Sequence, residues 1–103
     1  MTKLELLPKR EILKRLKHFP GWTLRRDGKS IERKYRMKNF VSSVALIGKI
    51  CRVAESIDHH PDLHLTSYRK LRIVLSTHSV GGLSEKDFIL SQKIEGLPKI
   101  LKL

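Results

Sequence analysis

The chain has 103 residues, enough for one small domain but not for two. Its 22 lysines and arginines outnumber 10 acidic residues, which gives a formal net charge of +12. A single cysteine, Cys51, excludes an internal disulfide and a cysteine-based zinc site, and its place in an apolar stretch predicts a buried thiol. Residues 1–17 lack a long apolar run, and no stretch approaches the roughly 20 apolar residues of a membrane span. We therefore expect a soluble, cytoplasmic protein with no membrane partner.

The positive charge is concentrated in the first part of the chain. Residues 1–38 carry 13 basic and 4 acidic side chains, whereas residues 39–103 carry 9 and 6. Such an excess is compatible with a nucleic-acid partner. No recognised DNA-binding motif accompanies the scattered basic pairs, so a solvated basic surface is the favoured interpretation and nucleic acid is an open alternative.

The first half of the chain predicts a helix, a hairpin and a long helix. Apolar spacing indicates a first helix over residues 8–18, ended by Pro20 and Gly21. Strands over 22–26 and 30–36 flank an Asp-Gly turn. Asn39 is a good N-cap for the second helix, which Pro61 should end near His59 or His60.

The second half predicts another hairpin and a third helix. Strands over 64–67 and 70–76 alternate apolar and polar residues. Ser84 and Asp87 have the spacing of a capping box, and Gly96 and Pro98 should end the helix that follows. The predicted fold is a single α+β domain over residues 1–103, in the order α-β-β-α-β-β-α, with three helices on one face of a four-stranded antiparallel sheet.

Histidines and carboxylates suggest a site after the second helix. Glu55 and His59 are four residues apart, so a helix would place them on one face. A nearby carboxylate and a helix C-terminus both favour a protonated imidazole, which suits a general acid. His60 follows at once, and His78 comes just after the last predicted strand, where sites are common. Spacing alone leaves open whether His78 reaches the other two.

Simpler interpretations of these residues are also open. His59 and His60 could only cap a helix, His78 could be structural, and Asp87 could be only a capping carboxylate. The three histidines could also bind a transition metal. No ligand pair has the usual spacing, so we expect no metal site.

The combined pattern resembles the pterin-4a-carbinolamine dehydratase family. That pattern runs from an acidic residue through His-His-Pro, an aromatic residue and a third histidine to an aspartate. Every term is present in register, and the resemblance spans about residues 7–95. The matching residues are Glu55, His59, His60, Pro61, Tyr68, His78 and Asp87.

The resemblance implies a hydro-lyase that converts 4a-hydroxytetrahydropterin to quinonoid dihydropterin, in tetrahydrobiopterin recycling or another pterin pathway. It needs no metal or redox cofactor. His59, His60 and His78 would share the acid and base roles. Glu55 and Asp87 would support them. The implied substrate-binding residues are Glu55, Asp58, His59, His60, Pro61, Ser76, Thr77, His78, Ser79 and Asp87.

The resemblance also implies assembly as a homodimer or homotetramer. Some family members act instead as dimerisation cofactors of a homeodomain transcription factor, which is the main alternative to catalysis. The three histidines favour the enzyme, because a scaffold has no use for them.

Overall fold

Three helices pack on one face of a four-stranded antiparallel sheet in this computed structural model, which describes residues 3–103. The element order confirms the predicted α-β-β-α-β-β-α fold class. The elements are α1 Lys9–Leu16, β1 Trp22–Leu24, β2 Ile31–Arg36, α2 Phe40–Ser56, β3 Asp62–Thr66, β4 Lys70–Leu75 and α3 Glu85–Glu95, with a 3-10 turn at His78–Val80 between β4 and α3.

The sheet has the order β1-β2-β4-β3, and its two faces differ in chemistry. Strand alternation sends apolar side chains to the face covered by the helices, where Ile31, Ile73 and Leu75 are fully buried. The opposite side, which we call the open face, has no helix of the described residues packed on it. It carries Thr23, Glu32, Lys34, Arg36, Asp62, His64, Thr66, Lys70, Arg72 and Val74.

Helix α2 starts where the sequence predicts and ends earlier. The Asn39 side chain accepts a hydrogen bond from the Ser42 amide, and Ser42 Oγ accepts one from the Asn39 amide, which makes a capping box. The predicted extension to His59 or His60 is wrong, because Asp58 adopts a left-handed conformation with φ of 50° and stops the helix at Ser56.

The outward side of α2 is unusually apolar. Leu46, Ile50 and Ala54 recur every four residues and are buried against the sheet. Cys51 follows Ile50 by a rotation of about 100° and is exposed, so the prediction of a buried thiol is wrong. Val44 is also about half exposed. No helix formed by residues 3–103 has the length and apolar character needed to cross a bilayer.

A partly buried carboxylate joins the end of α3 to the first hairpin. Glu95 Oε1 accepts hydrogen bonds from Trp22 Nε1 and Arg33 Nε, both at 2.8 Å, and a short one from the Tyr35 hydroxyl. Burial tends to raise the pKa of the Glu95 carboxyl, but the hydrogen bonds from Tyr35 and Arg33 and the Arg33 charge outweigh it. The pKa of Glu95 is therefore lowered. Burial together with the Glu95 bond raises the pKa of Tyr35, which stays a neutral donor.

This cluster predicts a pH-dependent contribution to stability. We expect Glu95→Gln to lower the free energy of unfolding by about 1–2 kcal/mol near neutral pH, because three donors lose a charged acceptor. A lowered folded-state pKa stabilises above the ordinary value of about 4.3 and the effect is lost as pH falls through the folded value. The difference between wild type and variant, measured by urea unfolding, should shrink below that pH.

Glu5→Gln is the matched control, since Glu5 is exposed and makes no side-chain hydrogen bond to residues 3–103. A Glu95→Gln difference that stays constant through the acid range would contradict this account of the cluster.

Candidate functional site

Three chain segments meet around a cleft of about 260 Å³ beside the end of α2. One segment follows α2, the second follows β4 and the third is the start of α3. The N-terminal segment before α1 adds a leucine to the wall. The lining residues are Leu4, Asp58, His59, His60, Ser76, Thr77, His78, Ser79 and Lys86.

The end of α2 is built as a Schellman motif, which fixes the direction of the His-His segment. The His59 amide donates to the Ala54 carbonyl at 3.1 Å, and the Asp58 amide donates to the Glu55 carbonyl at 3.3 Å. Asp58 occupies the left-handed position, which aspartate tolerates better than most residues. The chain therefore leaves the helix at a defined angle and turns His59 inward and His60 outward.

A short closed loop presents His78 to the same cleft. The Thr77 amide donates to the Gly82 carbonyl at 2.7 Å, and the Gly82 amide donates back at 3.3 Å. These two bonds close residues 78–81 into a loop. Gly81 adopts the left-handed backbone conformation with which the chain reverses direction. His78 and Ser79 stand exposed at the tip of the loop.

Asp87 ties the three segments together from behind the cleft. Its carboxylate is fully buried, and Oδ1 lies 2.7 Å from His59 Nε2. Its Oδ2 accepts from Thr77 Oγ1 at 2.6 Å and from the Ser84 amide at 2.9 Å. Because Thr77 gives its only hydroxyl proton to Asp87, its oxygen accepts from Ser84 Oγ, 2.7 Å away. Each donor around this buried charge thus has a defined partner.

This geometry fixes the orientation of the His59 ring. Nε2 faces a carboxylate oxygen, so it carries a proton and donates it. Nδ1 makes no hydrogen bond to residues 3–103, and no side-chain nitrogen in this part of the chain is both buried and unpartnered. Nδ1 is therefore open to the cleft, where a neutral ring offers a lone pair that can accept a proton.

His60 has a different environment from His59. It is exposed, and its Nε2 forms a short hydrogen bond to Glu55 Oε2. The predicted pairing of Glu55 with His59 through helical spacing does not form, because His59 lies outside the helix and turns toward Asp87. The Glu55 carboxylate therefore holds the His60 ring at the rim of the cleft.

The structure brings most of the predicted site residues together. Glu55 contacts His60 at the rim of the cleft, and Asp87 contacts His59 from behind the cleft. Neither carboxylate lines the cleft itself. Pro61 is half-buried and does not line the cleft. Tyr68 is at the opposite end of α2, where its carbonyl accepts from Ser43 Oγ. The lining residues among the predicted set are Asp58, His59, His60, Ser76, Thr77, His78 and Ser79.

Two lining residues are absent from the predicted set. Lys86 lies inside the capping-box sequence next to Asp87, so its position followed from the helix start that the sequence indicates. Leu4 comes from a segment without a recognisable pattern, and the sequence carries no signal for it. Within residues 3–103 no cluster of three His, Cys, Asp or Glu side chains is arranged to hold a metal ion.

The fold and the cleft define a small α+β protein with three imidazole side chains at one cleft, and comparison with known proteins identifies its family. The sequence model of the pterin 4 alpha carbinolamine dehydratases matches residues 5–97. A Streptomyces avermitilis relative, provisionally named as such a dehydratase, is 42% identical over 95 residues that cover 91% of each chain. The chain belongs to the pterin-4-alpha-carbinolamine dehydratase family.

Two further relatives extend the comparison. Pterin-4-alpha-carbinolamine dehydratase 2, mitochondrial, of Arabidopsis thaliana is 39% identical over 84 residues, which cover 80% of this chain and 45% of the relative. The crystal structure of a Brucella melitensis protein, named a transcriptional coactivator/pterin dehydratase, has a TM-score of 0.81. It is 27% identical, with 86% of this chain and 94% of that one covered. The predicted resemblance to the family is confirmed.

The hydrogen bonds of Asp87 predict a measurable effect of Asp87→Asn on His59. An amide cannot accept at both positions, so one buried donor loses its partner and the free energy of unfolding should fall by about 1–3 kcal/mol. At about pH 8, nitrogen NMR of the wild-type His59 ring should show the tautomer protonated at Nε2, and the variant should lose this preference.

Asp62→Asn is the matched control, because Asp62 is exposed on the open face. An unchanged tautomer together with unchanged stability in Asp87→Asn would show that Asp87 does not position the ring.

Proposed function

We propose that the protein dehydrates 4a-hydroxytetrahydropterin to quinonoid dihydropterin in the cytoplasm, in tetrahydrobiopterin recycling or another pterin pathway. The observation that carries the proposal is the meeting of His59, His60 and His78 in one cleft, with the His59 ring oriented by a buried carboxylate. Family membership supports the choice of substrate class.

The reaction needs one acid and one base. The C4a–O bond breaks as a proton is added to the hydroxyl, which leaves as water. The N5–H bond gives up its proton to a base, and its electron pair forms the N5=C4a double bond. The substrate therefore loses one water molecule and is neither oxidised nor reduced.

The three histidines differ in ways that suit these steps. His59 presents Nδ1 to the cleft while Asp87 faces the other side of the ring, and this carboxylate stabilises the positive charge that follows proton uptake. We assign to His59 the role of the base that accepts the N5 proton. His60, paired with Glu55, is assigned proton delivery to the leaving hydroxyl. His78 on the loop is the third proton-transfer group.

The pterin ring also needs polar contacts along its amide edge. The segments at Asp58 and at Ser76–Ser79 border the cleft with backbone and hydroxyl groups, which can pair with such an edge. Glu55, Pro61 and Asp87 complete the proposed binding set through their contacts with the histidine segment rather than with the ring itself.

The decisive experiment compares all five histidines of the chain. A stopped-flow assay on freshly generated 4a-hydroxytetrahydropterin should show acceleration by wild type. His59→Ala, His60→Ala and His78→Ala should each lower the rate by about 10²–10⁴-fold, the usual contribution of a general acid or base. His18→Ala and His64→Ala are matched controls, since both side chains are exposed and lie outside the cleft.

Two results would contradict the proposal. The first is a folded wild-type protein that does not accelerate dehydration. The second is an equal rate loss in the cleft variants and the two controls, which would indicate general instability rather than chemistry at the cleft.

A second candidate function, assembly with a protein partner, is favoured by the exposed apolar stripe on α2. Phe40, Val41 and Val44 are 56%, 75% and 48% exposed, and Cys51 continues the stripe. Contiguous exposed apolar surface marks interaction sites. We propose that the stripe forms a homodimer or homotetramer, and the coactivator name of the Brucella protein makes a role as a dimerisation cofactor the alternative use of the same surface.

Val44→Asp tests the stripe, because a charge at its centre opposes burial. We expect light scattering after size exclusion to show a homo-oligomer for wild type and a smaller species for the variant. Ile89→Asp is the control, since Ile89 is an exposed apolar residue on α3. A monomeric wild type would contradict self-association, and retained dehydratase activity in monomeric Val44→Asp would show that catalysis does not depend on it.

A further inference from the structure

Four basic side chains form a square on the open face of the sheet. Lys34 pairs with Arg72 across β2 and β4, and Arg36 pairs with Lys70 at the next position of the same register. Alternate residues along a strand are separated by about 6.6–6.8 Å, and directly opposite side chains by about 4.5–5.5 Å. Two like-charge pairs in succession therefore lie side by side.

This arrangement works against the stability of the sheet. Like charges placed directly opposite each other are destabilising. Glu32 offsets one end, with an oxygen 3.8 Å from Arg72 and another 4.0 Å from Lys34. Arg36 and Lys70 have no carboxylate within 4.0 Å in residues 3–103. The described residues leave the repulsion between Arg36 and Lys70 without an opposing charge. This points to an anion that binds from outside the chain.

Two adjoining grooves give such an anion a path across this face. One has a volume of about 410 Å³ and is lined by the four basic residues of the square. The other, of about 450 Å³, is lined by Arg25, Arg26 and Glu32 and shares Lys34 and Arg72 with the first. Neither groove contains a histidine of the cleft, so the face is distinct from the proposed catalytic site.

We propose that the open face binds the phosphate backbone of nucleic acid, independently of pterin dehydration. The square of cations and the two open grooves beside it allow several phosphates of one nucleic-acid backbone to be neutralised at once. Backbone contacts position a protein on nucleic acid without reading its sequence. The binding is therefore electrostatic and independent of sequence.

The composition of the face selects this occupant over others. Its ten strand residues, all in the described part of the chain, include no Phe, Tyr or Trp, so stacking of unpaired bases does not contribute. Its one large apolar side chain, Val74, is buried, so nothing inserts into a lipid bilayer. Two copies of this face would repel each other.

The test measures fluorescence anisotropy of a labelled random-sequence DNA duplex at increasing salt. The key variant carries Lys34→Gln, Arg36→Gln, Lys70→Gln and Arg72→Gln. The control removes equal charge from the exposed residues of α1 and its end through Lys9→Gln, Arg10→Gln, Lys14→Gln and Lys17→Gln. Circular dichroism and dehydratase activity check that both variants are intact.

We expect duplex affinity to fall steeply with salt, and we expect this dependence to require the open face. With about four phosphate contacts, the slope of log affinity against log salt is about −3.6, a loss of about 150-fold between 50 and 200 mM. The open-face variant should lose that slope, and the α1 control should keep it. If the open-face variant does not fold, the double variant Arg36→Gln with Lys70→Gln should still make the salt slope shallower, by the contribution of about two phosphate contacts.

Three results would overturn the proposal. The first is no duplex binding by wild type at 50 mM salt. The second is an equal loss in the open-face and α1 variants, which would indicate net charge alone. The third is tighter binding to phosphatidylserine vesicles or polyglutamate than to the duplex, lost in the same open-face variant, which would assign the face to another anion. Because activity is measured separately, failure here leaves the proposed dehydratase function unaffected.

Discussion

The buried carboxylate of Asp87 is the constraint on which the cleft depends. It belongs to the first turn of α3, where the helix dipole favours a negative charge, and it accepts bonds from the segment after α2, the segment after β4 and the start of α3. The same carboxylate that caps α3 also orients His59 and anchors the loop that carries His78. The candidate chemistry is thus assembled only when α3 has packed, which links folding of the last helix to formation of the site.

Much of this arrangement follows from sequence because the signals are local. The capping boxes at Asn39 and at Ser84 are read directly, since a cap needs only residues three positions apart. The first hairpin follows from its Asp-Gly turn, and the second follows from the alternation of its strands. The convergence of His59 and His78 is not local, because a helix end and a strand end meet only through packing of the whole domain. There the family pattern supplied what spacing did not.

The error in the length of α2 and the error in the partner of Glu55 have one physical origin, which is the end of α2. Pro61 correctly indicates that the helix stops, but a Schellman turn usually carries glycine at its left-handed position, and here Asp58 takes that position. The earlier end changes the partner of Glu55 from His59 to His60, since helical spacing no longer applies. Cys51 is a separate case: a wide apolar stripe hides which side faces the sheet, and only packing decides it.

The two faces of the same strands have different roles, since one contributes to the core and the other carries the charge. Alternation gives β2 and β4 one set of mostly apolar side chains beneath the helices and another, mostly charged, on the open face. Because the covered face holds Ile31, Ile73 and Leu75 without exposure, it can stabilise strand pairing against the repulsion between Lys34 and Arg72 on the other side. A basic surface of this kind therefore needs no change in the fold or in the cleft. Selection can adjust the charge of the open face while the histidines and Asp87 keep their geometry.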